Sequence, residues 1–299
     1  MVTGGARGKT EKELLNLLQV PSRDKLDPLV KQLMSISRLP EIKLANRLYP
    51  DDDFPILPTF KNRLQKLYNS TLVSVDLNAK DATPAIDEIN TWVSNQTGGH
   101  IKKALDKNDL ARNKSTTMNA LLMINCLLFD AKWQRGFQGQ NTRDGNTFYP
   151  DIGPPQEKKL TLMMRNGLFP YVDLTSEIGA RMIHLPFENN DLIFTIVLPN
   201  KGITLSQVES NLTSVLLNSP TTTNHNVFVW IPKWKFEFEM ATSIVRIMLS
   251  TSSRPDIQFL CNKPFLYAIR YKQTTLFMGR YVKVIDTSNM PPIIDGGRG

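Results

Sequence analysis

The sequence predicts an α+β protein, with helices in its first third and strands in the remainder. Apolar residues recur at three- and four-residue spacing up to Gly98, as on the buried face of a helix. After Thr116 they form short continuous or alternating runs, which are typical of strands. The helices and strands do not alternate regularly, which argues against a doubly wound parallel sheet. We therefore expect an α+β domain with a large sheet.

Four helices are predicted in the N-terminal third. The first begins at Thr10, where the T-x-x-E spacing to Glu13 predicts a capping box, and it ends before Pro21. The fourth has Pro84 in its first turn, where a proline is tolerated. The second, third and fourth helices, each with apolar residues on one face, run from Asp24 to Ser37, from Phe60 to Tyr68, and from Thr83 to Gly98-Gly99.

The strands follow in order. The segment 121–129 is nearly all apolar, which predicts a central strand covered on both faces. The segment 192–198 is a second buried run, closed by a P-N-K-G turn. The segments 265–269 and 275–278 predict a hairpin, and apolar residues alternate with charged ones over 234–240, which predicts a strand with one solvated face.

Composition restricts the class of protein. The chain has 299 residues, of which 41% are hydrophobic and 21% charged, so it can bury a large core. No stretch reaches the roughly 18–20 apolar residues that a membrane span needs, and the N-terminus lacks the apolar core of a secretory signal. A soluble protein with no membrane partner is predicted.

Several kinds of chemistry are disfavoured. Two cysteines, Cys126 and Cys261, exclude a disulfide framework and a cysteine-rich metal site, and leave open either one bridge or two free thiols. None of the three histidines lies in a zinc motif, and neither G-x-S-x-G nor a P-loop string occurs. We therefore expect no metal and no cofactor, and we do not expect an enzyme.

The formal net charge is +8, which favours polyanions as partners. The densest basic window, 100–114, is predicted to be a solvated helix end. The alternative is a site for a heparin-like glycan, while nucleic acid is not favoured as a partner. The basic residues of this window are Lys102, Lys103, Lys107, Arg112 and Lys114.

Several strings, in this order, resemble motifs of the serpins, a family of serine-protease inhibitors. The N-terminal ones are G-A-R-G-K-T from Gly5, L-A-N-R-L-Y from Leu44, and I-N-T-W-V from Ile89 followed by T-G-G-H-I. Later strings are Asn125 with Trp133 and Phe137, Met163-Met164, Leu185-Pro186-Phe187, Leu198-Pro199, Ile231-Pro232-Lys233, Asn262-Lys263-Pro264-Phe265 and Leu276-Phe277-Met278-Gly279-Arg280.

The resemblance implies a three-sheet, serpin-like fold, with N-terminal helices, a large central sheet and smaller sheets. It implies a partial domain over residues 1–285, and we expect the remainder, 286–299, to be a disordered tail. The implied function is inhibition of serine-type endopeptidases. In the family, the target protease cleaves a reactive loop and is held as an acyl-enzyme while the loop inserts into the main sheet as an extra strand.

By family pattern the reactive loop spans Met240 to Ile257. Leu249-Ser250 is the favoured scissile bond, which would suit a chymotrypsin-like protease. Counting residues from the two ends of the loop leaves the scissile residue open between Leu249 and Thr251. Arg246 is the runner-up and would suit a trypsin-like protease. The loop residues singled out are Arg246, Met248, Leu249, Ser250 and Thr251.

Four further residues resemble those of the family's sheet-opening region. Asn125 matches an asparagine beneath the opening strands. Trp133, Thr142 and Lys233 match residues at the top of the sheet, where the loop enters. For each of them, plain core packing is the alternative interpretation, and for Trp133 it is the strongest.

The sequence departs from the family at two places. Met1 stands almost directly before G-A-R-G-K-T, so the opening helix and first strand are expected to be absent. Pro232 and Pro264 are only 32 residues apart, so a strand and the E-E-G-T-type hinge are expected to be missing too. Their loss would remove the family's partners of Asn125 and Lys233, and an unpaired buried polar group costs on the order of 1–3 kcal/mol. A truncated, noninhibitory serpin is therefore the alternative function.

The expected cellular location rests on where members of the resembled family are usually found and on N-glycosylation sequons. N-x-[ST] strings begin at Asn69, Asn95, Asn113 and Asn211, and they matter only for a chain that enters the secretory route. Asn95 is the least convincing acceptor because it lies within a predicted helix. We expect an extracellular protein, with a cytoplasmic one as the alternative.

Overall fold

A computed structural model describes residues 1–107, 109–110, 120–137, 139–218, 221–233 and 257–284. The helices are α1 (Val2–Gly5), α2 (Gly8–Leu17), α3 (Arg23–Ile36), α4 (Pro58–Tyr68), α5 (Thr83–Gln96), α6 (Thr175–Ile178), α7 (Leu205–Asn211) and α8 (Ser214–Asn218). Among the residues described, no helix is long and apolar enough to cross a membrane.

The strands are β1 (Ile42–Pro50), β2 (Thr71–Leu72), β3 (Leu121–Phe129), β4 (Thr142–Phe148), β5 (Gln156–Leu174), β6 (Ala180–Pro186), β7 (Leu192–Pro199), β8 (Thr223–Pro232), β9 (Ile257–Leu260), β10 (Phe265–Tyr271) and β11 (Thr274–Tyr281). This content confirms the predicted α+β class. The described residues fall into two compact units that meet in sequence after Asp130.

The N-terminal unit contains α1–α5 and a three-stranded sheet of order β2-β1-β3. The predicted helices at 24–37, 60–68 and 83–98 are confirmed within two residues at each end. In α5 the apolar face buries Ile89 and Val93, which pack with Tyr49 of β1 and Cys126 of β3. Helical spacing therefore located this part of the core.

The first helix begins differently from the prediction. It starts at Gly8 with Arg7 as its N-cap, and no side chain caps it. Thr10 thus lies inside the helix, and the predicted capping box is wrong. The backbone explains the shift, because Arg7 already has the extended conformation of a cap residue, with φ −142° and ψ 162°.

The strand at 121–129 is present but is not the covered central strand that the sequence predicts. Within the described residues β3 pairs only with β1, in antiparallel register from Ile42–Phe129 to Pro50–Leu121. Alternate residues on one face remain 38–40% exposed, namely Leu121, Met123 and Leu127. Apolar content alone did not reveal this, because burial depends on which elements cover each face.

The C-terminal unit contains an eight-stranded sheet with the path β11-β10-β7-β6-β5-β8-β9, to which β4 adds by pairing with β5. The predicted hairpin is confirmed as β10 and β11, and the buried run at 192–198 is β7. The predicted strand at 234–240 lies outside the described residues, as does the predicted tail at 286–299.

The long strand β5 explains why the described residues show two hydrogen-bonded sheets where the resemblance implies three. Near its start β5 pairs with β4, along its middle with β8, and near its end with β6. Because β5 is continuous, the strands paired with its two ends belong to one sheet. A break within β5 would divide them into two sheets. The strand runs through Asn166-Gly167 and Pro170, which are turn signals in a sequence, and no apolar run predicts it.

Candidate functional site

The reactive-loop residues lie outside the described residues, as the whole segment 234–256 does. Both ends of that segment are described. Lys233, at the end of β8, donates its backbone N–H to the Thr161 carbonyl of β5 at 2.8 Å. Ile257 begins β9 and pairs in parallel with Val227 of β8. The segment 234–256, which contains all of the predicted loop except Ile257, is therefore flanked by residues on neighbouring strands of one sheet. The loop residues concerned are Arg246, Met248, Leu249, Ser250 and Thr251.

The structure brings two of the predicted sheet-opening residues to the same stretch of β5. Thr142 begins β4 and lies opposite Met163, whose other neighbour is Ile231 of β8. Lys233 follows two residues after Ile231 and is exposed. Thr142 and Lys233 thus approach β5 from opposite sides, within two residues of each other along that strand.

Trp133 lies in an aromatic cluster. Its indole stacks on Phe187 with ring centroids 4.6 Å apart and planes 13° apart, and it meets Phe194 and Phe137 edge-on at 5.6 and 5.8 Å. Its backbone also forms an isolated antiparallel bridge with Phe187. These contacts are those of a packing residue. Its role in loop entry, which the resemblance implies, stays a prediction.

Two arginines that carry no sequence motif meet near this cluster: Arg135, two residues after Trp133, and Arg165. Arg165, on β5, donates a hydrogen bond from Nη1 to the Arg135 carbonyl and lies with its guanidinium carbon 4.8 Å from the centre of the Phe169 ring. Burial, and secondly the charge of Arg135, lowers the pKa of Arg165 to about 10. The two residues are 30 positions apart and share no motif, so only the folded chain pairs them.

Asn125 lies in the other unit, on β3 opposite Asn46 of β1. Its side-chain amide donates to the Asn46 side-chain oxygen, and the Asn46 amide donates to the Tyr68 carbonyl at 3.1 Å. The expectation that Asn125 would be a buried group without a partner is therefore wrong. Asn46, the third letter of L-A-N-R-L-Y, supplies the acceptor because the two strands are in register.

The described part of the basic window is not helical, unlike the helix end that the sequence predicts. Residues 101–107 follow α5 without helical structure, and Lys102, Lys103 and Lys107 are exposed. Asn90 of α5 holds this segment, because its Oδ1 accepts the Ala104 and Leu105 N–H groups at 2.7 and 2.9 Å. The remaining two basic residues, Arg112 and Lys114, lie outside the described residues.

The two cysteines are separate, buried and free, which decides between the two alternatives that the sequence left open. Burial raises the pKa of both thiols. A buried thiol with a raised pKa is a poor nucleophile at neutral pH. Neither cysteine therefore offers a reactive site.

The chain matches proteins of one family along most of its length. Residues 1–243 match the sequence model of the family described as Serpin (serine protease inhibitor). Serine protease inhibitor 42Dd of Drosophila melanogaster is 29% identical over 244 residues, which are 80% of this chain and 62% of that protein. Leukocyte elastase inhibitor of Bos taurus is 28% identical over 248 residues, 79% of this chain and 63% of that protein.

The fold also matches solved structures. Serpin-12 of Manduca sexta has a TM-score of 0.78 at 21% identity, over 94% of this chain and 88% of that one. Native protease nexin-1, solved with heparin, has a TM-score of 0.76 at 20% identity over the same shares. These similarities establish the serpin-like fold.

Two facts bear on function. The chain spans 62–63% of the length of the inhibitors it matches in sequence. Its relatives also include ovalbumin of Gallus gallus, 25% identical over 216 residues, whose name states no inhibitory activity. The family is one of protease inhibitors and not of enzymes, as the sequence analysis expects. From the family model, its sequence relatives and its fold, we conclude that this chain belongs to the serpin family.

Proposed function

We propose that this chain inhibits serine proteases through a reactive loop within 234–256. The observation that supports the proposal is that the residues flanking this segment are held in one sheet, Lys233 through Thr161 of β5 and Ile257 through Val227 of β8. A segment held at both ends by one sheet can be bound and cleaved by a protease while the flanking strands stay in place. Family membership supports inhibition as the purpose of that cleavage.

The favoured reaction begins at Leu249. The serine Oγ of a chymotrypsin-like protease attacks the Leu249 carbonyl carbon and forms an ester bond. The Leu249–Ser250 peptide bond then breaks, and the new amino group on Ser250 leaves with the proton that the protease histidine supplies. Loop insertion into a sheet would separate the ester from the water that normally hydrolyses it. Cleavage after Arg246 by a trypsin-like protease is the second candidate for the bond.

A noninhibitory serpin is the alternative, in which the loop is cleaved and released. The spacing of 32 residues between Pro232 and Pro264 favours it, because that interval leaves out the hinge through which the family's loop enters the sheet. Such a chain would behave as an ordinary substrate. The protease would hydrolyse the ester and recover its full activity.

The deciding experiment is a denaturing gel of the chain after incubation with a chymotrypsin-like and, separately, a trypsin-like protease. A band at the summed mass indicates covalent trapping, and mass spectrometry of the released C-terminal fragment identifies the bond. We expect a fragment that begins at Ser250. Leu249→Arg should transfer cleavage to the trypsin-like protease, with Arg246→Gln as the matched control. Complete cleavage without a stable band would overturn inhibition and support the substrate alternative.

A second candidate function is the binding of a heparin-like glycan by the basic window. Lys102, Lys103 and Lys107 are exposed, and Asn90 holds the backbone between them. Sulfates would pair with these ammonium groups, so binding should weaken with salt. On immobilised heparin, replacing all three lysines with glutamine should lower the elution salt. Gln substitution of exposed Lys9, Lys12 and Lys25 provides a control of equal charge, and equal elution of the two variants would dismiss the site.

An extracellular location, with a cytoplasmic one as the alternative, belongs to the same proposal. Of the sequon asparagines in the described residues, Asn69 ends α4 and Asn211 ends α7, both exposed, while Asn95 lies within α5. Detection of N-linked glycan on protein from the native source would support passage through the secretory route. Recovery of unglycosylated chain from the cytosolic fraction alone would overturn it.

A further inference from the structure

Arg135 and Arg165 form a pair of like charges near the strands that flank the segment 234–256. Arg165 is partly buried, stacked over Phe169, and tied by its Nη1 to the Arg135 carbonyl. Arg135 is exposed. The Arg165 guanidinium is therefore held in one orientation, while the Arg135 side chain extends into solvent next to it.

Neither arginine has an acidic partner in the described part of the chain. The six ion pairs found there within 4.0 Å involve other cations. A partly buried guanidinium normally has a carboxylate or several carbonyl groups around it, since desolvation of an unpaired charge is unfavourable. The lowered pKa of Arg165, caused by burial and by Arg135, reflects this lack of compensation. Among the residues that the structure describes, the pair is therefore a positive site without a counter-charge.

Along β5, Arg165 lies between the positions that adjoin the two ends of the segment 234–256. Arg165 lies opposite Val229 of β8, and Val229 lies opposite Phe259 of β9, two residues after Ile257. At ordinary strand spacing β9 is then about 10 Å from the Arg165 backbone. In the other direction, Thr161, the partner of Lys233, is four residues away on β5, or about 13 Å. A protease bound to the loop would come close to both arginines.

We propose that Arg135 and Arg165 are an exosite that binds an acidic surface patch of the target protease next to its active-site cleft. The inference rests on the proposed function in so far as a protease must engage the loop, whether it is then trapped or released. Carboxylates on the protease would supply the counter-charge that the described residues of this chain do not. The exosite would select among proteases with the same cleft specificity by the charge around the cleft.

The effect should appear mainly in the association rate. Charges at the edge of an interface steer encounter and are screened by salt, whereas contacts in the cleft determine which bond is cut. We therefore expect the exosite to change how fast a protease attacks the loop and not where it cuts. That separation allows the exosite to be tested independently of the trap.

The test measures kcat/KM for cleavage within 234–256, by gel and mass spectrometry, with two chymotrypsin-like proteases that carry acidic and basic surfaces around the cleft. The variants are Arg135→Gln and Arg165→Met; methionine keeps an aliphatic chain over Phe169. Lys201→Gln, at an exposed lysine after β7, is the charge-matched control. Rates are compared at about 20 and 300 mM salt, where the Debye lengths are about 20 and 6 Å.

For the acidic protease we expect each variant to cut the rate about three- to tenfold at low salt, with little difference at high salt. A poly-glutamate peptide should slow cleavage of the wild-type chain and not of Arg135→Gln. The proposal is overturned if Lys201→Gln has the same effect, or if the basic protease is slowed equally. Arg135 is exposed, so its variant decides the matter even if Arg165→Met lowers stability.

The two proposals fail in different ways. If no covalent band forms but the cleavage rate depends on Arg135 and on salt as described, inhibition is wrong and the exosite stands. If a band forms at a rate that neither variant changes, the exosite is wrong and inhibition stands. A third measurement tests the occupant: the salt concentration at which Arg135→Gln elutes from immobilised heparin. If this concentration is lower than for the wild-type chain while the cleavage rate is unchanged, the exosite does not bind a protease.

Discussion

Gly279 and Tyr267 face each other across the β10–β11 hairpin and leave no room for a methyl group. A Cβ built on Gly279 would lie 2.2 Å from the Tyr267 Oη and 2.4 Å from its Cζ. The tyrosine ring in turn stacks on Phe194 with centroids 5.8 Å apart. The glycine of L-F-M-G-R is therefore needed so that an aromatic ring can cover the backbone of the neighbouring strand.

Gly279→Ala should lower the free energy of unfolding by about 1–3 kcal/mol, because the Tyr267 ring must leave its stack or the strands must separate. Urea unfolding followed by tyrosine and tryptophan fluorescence would measure the loss. Gly139→Ala is the matched control, since a Cβ there meets nothing within 4 Å. Equal stability of Gly279→Ala and wild type would show that the close approach is not present in solution.

His184, Thr195 and Arg270 form a buried polar network on three neighbouring strands. Arg270 donates from Nε to the Thr195 hydroxyl at 3.0 Å and from Nη1 to the carbonyls of Leu217 and Asn218 at 2.8 Å each. The Thr195 hydroxyl lies 2.9 Å from His184 Nδ1. Because a guanidinium can only donate, Thr195 accepts from Arg270 and is free to donate to Nδ1, which favours the neutral imidazole.

Burial, and secondly the charge of Arg270, lowers the pKa of His184 from 6.5 to about 3. Between these values the unfolded chain binds a proton that the folded chain does not, so stability decreases as the pH falls from 6.5 toward 3. The folding equilibrium constant should lose up to about tenfold per pH unit from this one group.

His184→Gln should make the unfolding midpoint in urea less dependent on pH across that interval, because glutamine keeps a hydrogen-bond acceptor and does not titrate. His225→Gln controls for the loss of an imidazole from another part of the sheet. The same steep dependence in His184→Gln as in wild type would contradict the assignment of this effect to His184.

At the scale of elements, α7 has the capping box that the sequence predicted for α2. The Thr204 hydroxyl accepts the Gln207 N–H at 3.3 Å, and the Gln207 side chain accepts the Thr204 N–H at 2.8 Å. The Asp151 carboxylate also accepts the Leu205 N–H at 2.8 Å. The first backbone N–H groups of a helix have no carbonyl partner within it. At the start of α7, a helix of seven residues, side chains accept hydrogen bonds from several of these groups.

Thr204→Ala should destabilise the protein by about 1 kcal/mol, since it removes the cap from the first turn of α7. Thr10→Ala is the matched control: Thr10 lies within α2 and caps nothing, so no loss of stability is expected. Thermal unfolding monitored by circular dichroism would compare the two variants. A larger loss for Thr10→Ala would reverse the assignment of the caps.

The elements differ in how far the sequence predicts them. Helices with an apolar face, such as α3 and α5, are found within two residues, because each turn repeats the same local pattern. The hairpin of β10 and β11 is found because two short, largely apolar runs stand close together in the sequence on either side of a polar turn. β5 was missed because its 19 residues change partners along their length, and no local period describes three different environments.

For the whole molecule, cleavage in the loop should change stability if the proposed inhibition is right. A cleaved loop that inserts as a strand adds a row of backbone hydrogen bonds and buries its alternate side chains. The midpoint of thermal unfolding should therefore rise after cleavage within 234–256. Differential scanning calorimetry of the intact and cleaved chain would measure it. An unchanged or lower midpoint would indicate the substrate alternative.

Some residues of the candidate site were predicted from the sequence, and others are revealed only by the structure. The motif order led to the family and to Thr142, Trp133 and Lys233, because the family's spacing is a property of the chain. It did not reveal that Asn125 pairs with Asn46, nor that Arg135 contacts Arg165, since these pairs are 79 and 30 residues apart. Strand register brings Asn125 opposite Asn46, whereas Arg165 of β5 reaches the carbonyl of Arg135, which lies between β3 and β4.

The sequence by itself determined the α+β class, the four longest of the described helices, the terminal hairpin and membership of the serpin family, because each depends on local periodicity or on the order of short motifs. Only the tertiary structure decided that the cysteines are free, that β3 keeps an exposed face, and that both ends of the loop segment lie on neighbouring strands. Only the structure placed Arg135 next to Arg165, neither of which has an acidic partner among the described residues. Burial, pairing and uncompensated charge arise from long-range contacts, which no window of sequence contains.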